Sequence, residues 1–140
     1  MNADAHPDAL AQTHARAFTD QRPWSPTEFA DLLTSPHVFL VGDATSFALG
    51  RVIAGEAELL TLATDPDAQG RGLGRAALAA YHTAAQAHDA DTSFLEVAET
   101  NTTAIRLYET AGYARTAQRP DYYRMRDGQR VAAIIMNRAL

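Results

Sequence analysis

DPDAQGRGLGRAALAAY, Asp65 to Tyr81, places Gly70, Gly72 and Gly74 within five residues and then runs directly into an alanine-rich stretch. Alanine is the strongest helix former, so the segment from about Gly72 to His88 predicts a helix. Glycine loses more conformational freedom on folding than any other residue, so such a cluster marks a special turn or a close approach to the main chain. The first turn of a helix also carries unpaired N–H groups and a positive dipole end, which together favour an anion. A phosphate-bearing ligand at this loop is the expectation.

Working outward, the chain alternates between helical and strand-like patterns. DALAQTHARAF (Asp8 to Phe18) puts Leu10, His14, Ala17 and Phe18 on one helical face. WSPTEFADLL starts a second helix, with Ser25 as cap, Pro26 in the first helical position and Glu28 closing a capping box. HVFLVGD, SFALGRVIAG and EAELLTLATD then read as three strands joined by short links, an antiparallel meander. After the glycine loop and its helix come the strand TSFLEVA and a helix in NTTAIRLYETAG, capped by Asn101 and stopped by Gly112. Two last strands are expected near Tyr113 to Gln118 and Val131 to Arg138, with Tyr122 and Tyr123 in a loop or strand start between them. The whole is an α/β chain with a mixed sheet, in which strand, glycine loop, helix and strand make a crossover with its ligand end at the carboxyl edge.

Composition removes several function classes. At 140 residues the chain has the length of one domain, residues 1–140. It contains no cysteine, which excludes disulfides, thiolate metal sites and a cysteine nucleophile. The five histidines show no spacing with carboxylates that would hold a metal, so none is expected. A net charge of -5 argues against general nucleic-acid binding. No apolar run spans a bilayer and the opening MNADAHPDALAQ lacks the order of a signal peptide, so a cytoplasmic protein without a membrane partner is expected. The phosphate-binding G-x-x-x-x-G-K-[ST] loop needs a lysine, and the chain has only arginine. A dinucleotide fingerprint starting at Gly70 would need glycine where Arg75 stands.

QGRGLG, Gln69 to Gly74, instead resembles the Q/R-x-x-G-x-G/A pyrophosphate loop of the GCN5-related N-acetyltransferases, and NTTAIRLYETAGY, Asn101 to Tyr113, resembles that family's second motif. Within the family, TLATDPDAQGRGLGR, FLEVAETNTTAIRLYETAGY, RPWSPTEF and the tail RPDYYRMRDGQRVAAIIM resemble the ribosomal-protein-alanine N-acetyltransferase type. Two positions depart from it: Ala98 stands where that type usually carries arginine, and Val131-Ala132 replaces an acidic pair. The resemblance implies the acyl-CoA N-acyltransferase fold, a mixed, mostly antiparallel sheet flanked by helices with splayed central strands. It implies acetyl-CoA as cosubstrate and a peptide or protein N-terminal amine as acceptor. A lysine or a small amine as acceptor, and a non-catalytic acyl-CoA-binding or partner-binding module, stand as the alternatives.

Each candidate site residue has a chemical reason. The amides of Gln69, Gly70, Arg71, Gly72, Leu73, Gly74 and Arg75 would hold the pyrophosphate, with Arg71 and Arg75 adding charge. If the strand LLTLAT splays from FLEVA, pantetheine can lie between them along Leu62, Ala63 and Thr64, and the Leu62 N–H can polarise the thioester carbonyl. Without cysteine, direct attack by the amine in a ternary complex is expected. An α-amine with pKa near 8 is only about a tenth neutral at pH 7, so a base is needed. Glu96, a carboxylate in the otherwise apolar FLEVA, is the candidate. The resemblance places Asn101 on the cofactor and the Tyr108 hydroxyl near the sulfur, where it would protonate the leaving thiolate. Trp24, Tyr122 and Tyr123 are the candidate acceptor-binding residues.

Overall fold

The computed structural model describes residues 6–140. Eleven elements follow in order among them: α1 (Pro7–Ala17), α2 (Pro26–Leu33), β1 (Val38–Gly42), β2 (Ser46–Ile53), β3 (Glu56–Thr64), a 3-10 turn (Pro66–Ala68), α3 (Leu73–Ala87), β4 (Thr92–Ala98), α4 (Thr102–Thr110), β5 (Ala114–Arg124) and β6 (Arg130–Ala139). The strands form one sheet in the order β1-β2-β3-β4-β6-β5. All neighbours are antiparallel except β3 and β4, whose parallel pairing is made possible by the α3 crossover.

Alternation along β2 supplies a core on each face of the sheet. Phe47 and Leu49 pack with Leu10 and Ala11 of α1 and Phe29 of α2, while Ala48 joins Leu78 and Tyr81 of α3 and Ile105 and Tyr108 of α4. Phe29 is fully buried, which contributes about 1.5–3 kcal/mol. The start of α2 is held as its sequence predicts: Glu28 N–H donates to Ser25 Oγ at 3.2 Å and Ser25 N–H to Glu28 Oε1 at 3.0 Å. Trp24, just outside the cap, closes a hydrophobic staple on Phe29 with ring centroids 5.4 Å apart.

The feature that positions everything else is the seam between β3 and β4. Leu49 pairs with Thr61 but Gly50 pairs with Leu59, so Leu60 is an extra residue in β3, a bulge. A bulge bends its strand and interrupts pairing. Parallel pairing of β3 with β4 accordingly spans only Glu56–Glu58 against Thr92–Phe94 and stops just before it. Beyond that point the two strands diverge, as the expected splay requires.

The last hairpin departs from the sequence-based expectation. β5 does not end near Gln118 but continues to Arg124, so Tyr122 and Tyr123 lie inside a strand, not in a loop. β5 is an edge strand, where Pro120 can sit without breaking a ladder bond. A register shift between Arg119 and Tyr123, with Asp121 at φ +54°, turns Tyr122 outward to 48% exposure.

Two buried histidines add a pH limit. Arg138 Nη1 donates to His82 Nδ1 at 2.9 Å, so the neutral ring carries its proton on Nε2 and donates to the Tyr113 hydroxyl at 2.8 Å. That chain continues inward through Ser93 Oγ to the Tyr81 hydroxyl, each step 2.8 Å. Burial, with Arg138 in second place, lowers the His82 pKa to about 4, and burial lowers that of His14 to about 4 as well. In the unfolded chain both titrate near the usual value of about 6.5. The unfolded state therefore takes up protons first as pH falls, and stability is complete above about 6.5 and declines down to about 4. Each ring accounts for up to roughly 3 kcal/mol of this loss. Urea unfolding at pH 7.5, 6 and 4.5 should show the decline, and two imidazole proton resonances should titrate near pH 4.

Candidate active site

The seam opens into a cleft of about 880 Å³ at the carboxyl ends of β3 and β4. One wall is β3 from Leu59 to Thr64, the other β4 from Leu95 to Ala98; α3's first turn closes one end, and Phe18 and Trp24 stand on the α1–α2 side. The ladder sets which way the β3 backbone points. Asp65 N–H donates to Thr45 O at 2.7 Å, and Ser46 faces Thr64, so the antiparallel alternation pairs Phe47 with Ala63 through their amides. Leu62 and Thr64 then turn their N–H and C=O groups away from β2, towards the seam. Ala63 faces the opposite core through its side chain.

At the phosphate end, Gly70 and Gly72 adopt φ +81° and +76°, and a Cβ built on either meets nothing within 4 Å. Left-handed backbone with open space over it is a cradle that a side chain would fill. No side chain caps α3, and its first helical bond is Ala76 N–H to Gly72 O at 3.0 Å, so the amides of Leu73, Gly74 and Arg75 lie ahead of it. These donors, with the helix dipole, suit a diphosphate. Gln69 braces the loop by donating from Nε2 to Thr64 O at 3.2 Å.

Asn101 caps α4, its Oδ1 accepting from Ala104 N–H at 3.2 Å, and it lines the cleft at the same time. Tyr108, two turns along, is buried and also lines the cleft. Its hydroxyl has no hydrogen-bond partner among the described residues. Burial, followed by Tyr113 and Tyr123, raises its pKa, which keeps it protonated through neutral pH. Glu96 reaches the cleft from β4 and forms an ion pair with Arg119, Oε1 to Nη2 at 3.4 Å. Tyr123 faces the same space; burial first, then the Glu96 charge, pushes its pKa to about 12.

Of the residues singled out from sequence, Trp24, Leu62, Ala63, Thr64, Gln69, Gly70, Gly72, Leu73, Gly74, Arg75, Glu96, Asn101, Tyr108 and Tyr123 therefore share one cleft. Arg71 and Tyr122 are exposed and stand outside its lining. Tyr122 packs edge-on against Tyr123 and carries Arg119 over its ring, the guanidinium carbon 5.4 Å from the centroid. Sequence reasoning missed His14, Phe18, Leu107 and the Arg119 partner of Glu96. A smaller recess of about 180 Å³, lined by Thr19, Asp20, Thr100 and Met125 among others, adjoins it at Ala98. Among the described residues no three His, Asp or Glu side chains cluster as metal ligands would, and no helix is long and apolar enough to cross a membrane.

Comparison with known proteins agrees with this geometry. The profile of the acetyltransferase (GNAT) family matches residues 6–113. The chain is 35% identical over 133 residues to the [ribosomal protein bS18]-alanine N-acetyltransferase of Escherichia coli K12, covering 92% of this chain and 89% of that protein. It is 36% identical over 124 residues to the N-alpha-acetyltransferase RimI of Mycobacterium tuberculosis H37Rv, covering 82% and 77%. The crystal structure of the ribosomal-protein-S18-alanine N-acetyltransferase from Escherichia coli superposes with a TM-score of 0.84 at 34% identity, over 95% of this chain and 86% of that one. The mixed sheet with its splayed central strands is the acyl-CoA N-acyltransferase fold expected from the sequence.

Proposed function

The chain belongs to the acetyltransferase (GNAT) family and is an acetyl-CoA-dependent N-acetyltransferase; from that premise we propose that residues 1–140 act as one domain that acetylates the N-terminal α-amine of a protein, a ribosomal protein in the first instance. The observation that carries the reading is the single cleft joining a glycine cradle at one end to Glu96, Tyr123 and Trp24 at the other.

In this reading the amides from Gln69 to Arg75 hold the pyrophosphate, with Arg71 and Arg75 as peripheral charges. The seam-facing backbone of Leu62 and Thr64 aligns the pantetheine, with Ala63 anchoring that strand and Asn101 flanking it. Acetyl-CoA supplies the activated acyl group. Glu96 takes a proton from the incoming ammonium, and the freed nitrogen lone pair forms the new C–N bond as the C–S bond breaks. The Leu62 N–H steadies the charge growing on the carbonyl oxygen, a donor type worth roughly 3 kcal/mol in acyl-transfer enzymes. The Tyr108 hydroxyl donates its proton to the departing sulfur, and the second proton that the nitrogen sheds as the amide forms restores the hydroxyl. Trp24 and Tyr123 border the acceptor end, and Tyr122 supports Tyr123 from outside. One carboxylate suffices for an α-amine, which is about a tenth neutral at pH 7, whereas a lysine amine at pKa about 10.4 is only about 0.04% neutral.

Incubation with acetyl-CoA and a panel of peptides, read by mass, tests the acceptor. Alanine-starting peptides with free N-termini should be acetylated once, at the α-amine. Faster acetylation of lysine in N-terminally blocked peptides, or of polyamines, would overturn the α-amine assignment.

A further inference from the structure

His14 is buried to 3% exposure, lines the cleft and has no part in the chemistry above. The Trp24 backbone N–H donates to its Nδ1 at 3.2 Å. An amide can only donate, so Nδ1 is bare and the neutral ring carries its proton on Nε2, which donates to Thr61 Oγ1 at 3.2 Å. The ring stacks on Phe18 and Trp24 with centroids 4.3 and 5.1 Å away, and meets Phe29 edge-on at 5.6 Å. One ring thus joins three parts of the fold, of which the last is 47 residues away in sequence. They are α1 itself, the α1–α2 segment bearing Trp24, and the bulged stretch of β3.

Thr61 directly follows the bulge residue Leu60 and directly precedes Leu62, whose amide faces the seam. A bulged strand has lost ladder bonds on one side, so its exact path depends on whatever else grips it. On the α1 side that grip includes the His14–Thr61 bond. The same ring fixes Trp24 and Phe18, which border the acceptor end. We infer that His14 is a positioning residue for acetyl transfer, setting the spacing between the acceptor wall and the β3 backbone that faces the thioester. The inference rests on the reading that the amine enters between the α1–α2 segment and β4. The Trp24 bond needs a bare Nδ1, and burial keeps the ring neutral at working pH.

Thr61→Val tests this with little change of volume: it removes the oxygen that Nε2–H donates to, while the Trp24 bond and the ring stack remain. Misplacing reacting groups by about 1 Å can cost up to a hundredfold, and a partial loss of one clamp should lower kcat/KM for the acceptor by about tenfold. The Kd for acetyl-CoA should stay within about twofold, because the cradle and α3 are untouched. Thr61→Ser keeps the hydroxyl and should recover most of the lost activity. His14→Phe keeps the stack, loses both bonds and should be at least as impaired as Thr61→Val. All variants are assayed well below their melting temperatures with whichever acceptor the parent turns over best, so the outcome does not depend on the α-amine assignment. Parental kcat/KM in Thr61→Val overturns the inference. So does equal impairment of the Val and Ser variants, or a matching loss of acetyl-CoA affinity, since either would report general disturbance of β3.

Discussion

Glu96→Gln should lower the rate of acetyl transfer by about a hundredfold or more while leaving acetyl-CoA affinity close to that of the parent. Glutamine preserves the shape of the side chain and removes its capacity to take a proton. It also breaks the ion pair with Arg119, but that guanidinium is about half exposed and remains solvated, so little stability is lost. The residual activity should climb further with alkaline pH than that of the parent, because the fraction of neutral amine rises without help from the protein. Tyr108→Phe should cause a loss of similar size with a different signature. The side chain lines the cleft, and burial keeps its hydroxyl in the donor form. Removing it should hurt least with thioesters whose thiols have low pKa, since those leave without a proton. Stopped-flow rates for both variants across pH and across leaving groups separate the two roles. Parental turnover in both on the best acceptor would make them structural residues and leave the proposed proton transfers without a basis.

Gly72→Asp should abolish the rise in melting temperature that acetyl-CoA produces. Gly72 caps α3 at φ +76° with open space above it. The fold therefore has room for a side chain, though the left-handed backbone makes it cost about 1 kcal/mol. The ligand has no such room: the new carboxylate occupies the cradle and repels the diphosphate. At a hundredfold excess over Kd, binding stabilises the parent by about 2.7 kcal/mol, so the effect is easily read. Gly128→Asp is the control, because Gly128 shares the left-handed backbone at φ +87° and open surroundings but lies in the β5–β6 turn. It should carry the strain and keep the full ligand shift. An undiminished shift in Gly72→Asp would remove the loop from the binding site.

Much of this architecture is local enough to be read from the chain. The Ser25 cap, the Asn101 cap and the glycine loop each act within a few residues, and each forms as its sequence predicts. The meander follows from strand alternation and short links. What escaped reading is long-range. His14 owes its role to a partner 47 residues away, and nothing in ALAQTHARAF marks it as more than a core histidine. Glu96 and Arg119 approach one another from strands separated by β6, a neighbourhood only the sheet order creates. The bulge at Leu60 lies in LLTL, with no glycine or proline to announce it. The length of β5 is not legible either, since only its edge position lets the strand run on through Pro120 to Arg124.

The short pairing of β3 with β4 also makes the sheet a lever. Its pivot is the stretch Glu56–Glu58 against Thr92–Phe94, reinforced by Asp91 N–H on Gly55 O at 2.9 Å. Thr64 stands six residues beyond Glu58, about 20 Å along an extended strand. A rotation of about 3° at the pivot therefore displaces the tip by about 1 Å, a distance over which reaction rates change steeply. Ala57 and Ser93, both fully buried at the pivot, lie at the opposite end of the sheet from the chemistry. Their packing fixes the angle at which two strands deliver their groups to each other, so the rigidity of the least reactive corner of the molecule governs the alignment of its most reactive one.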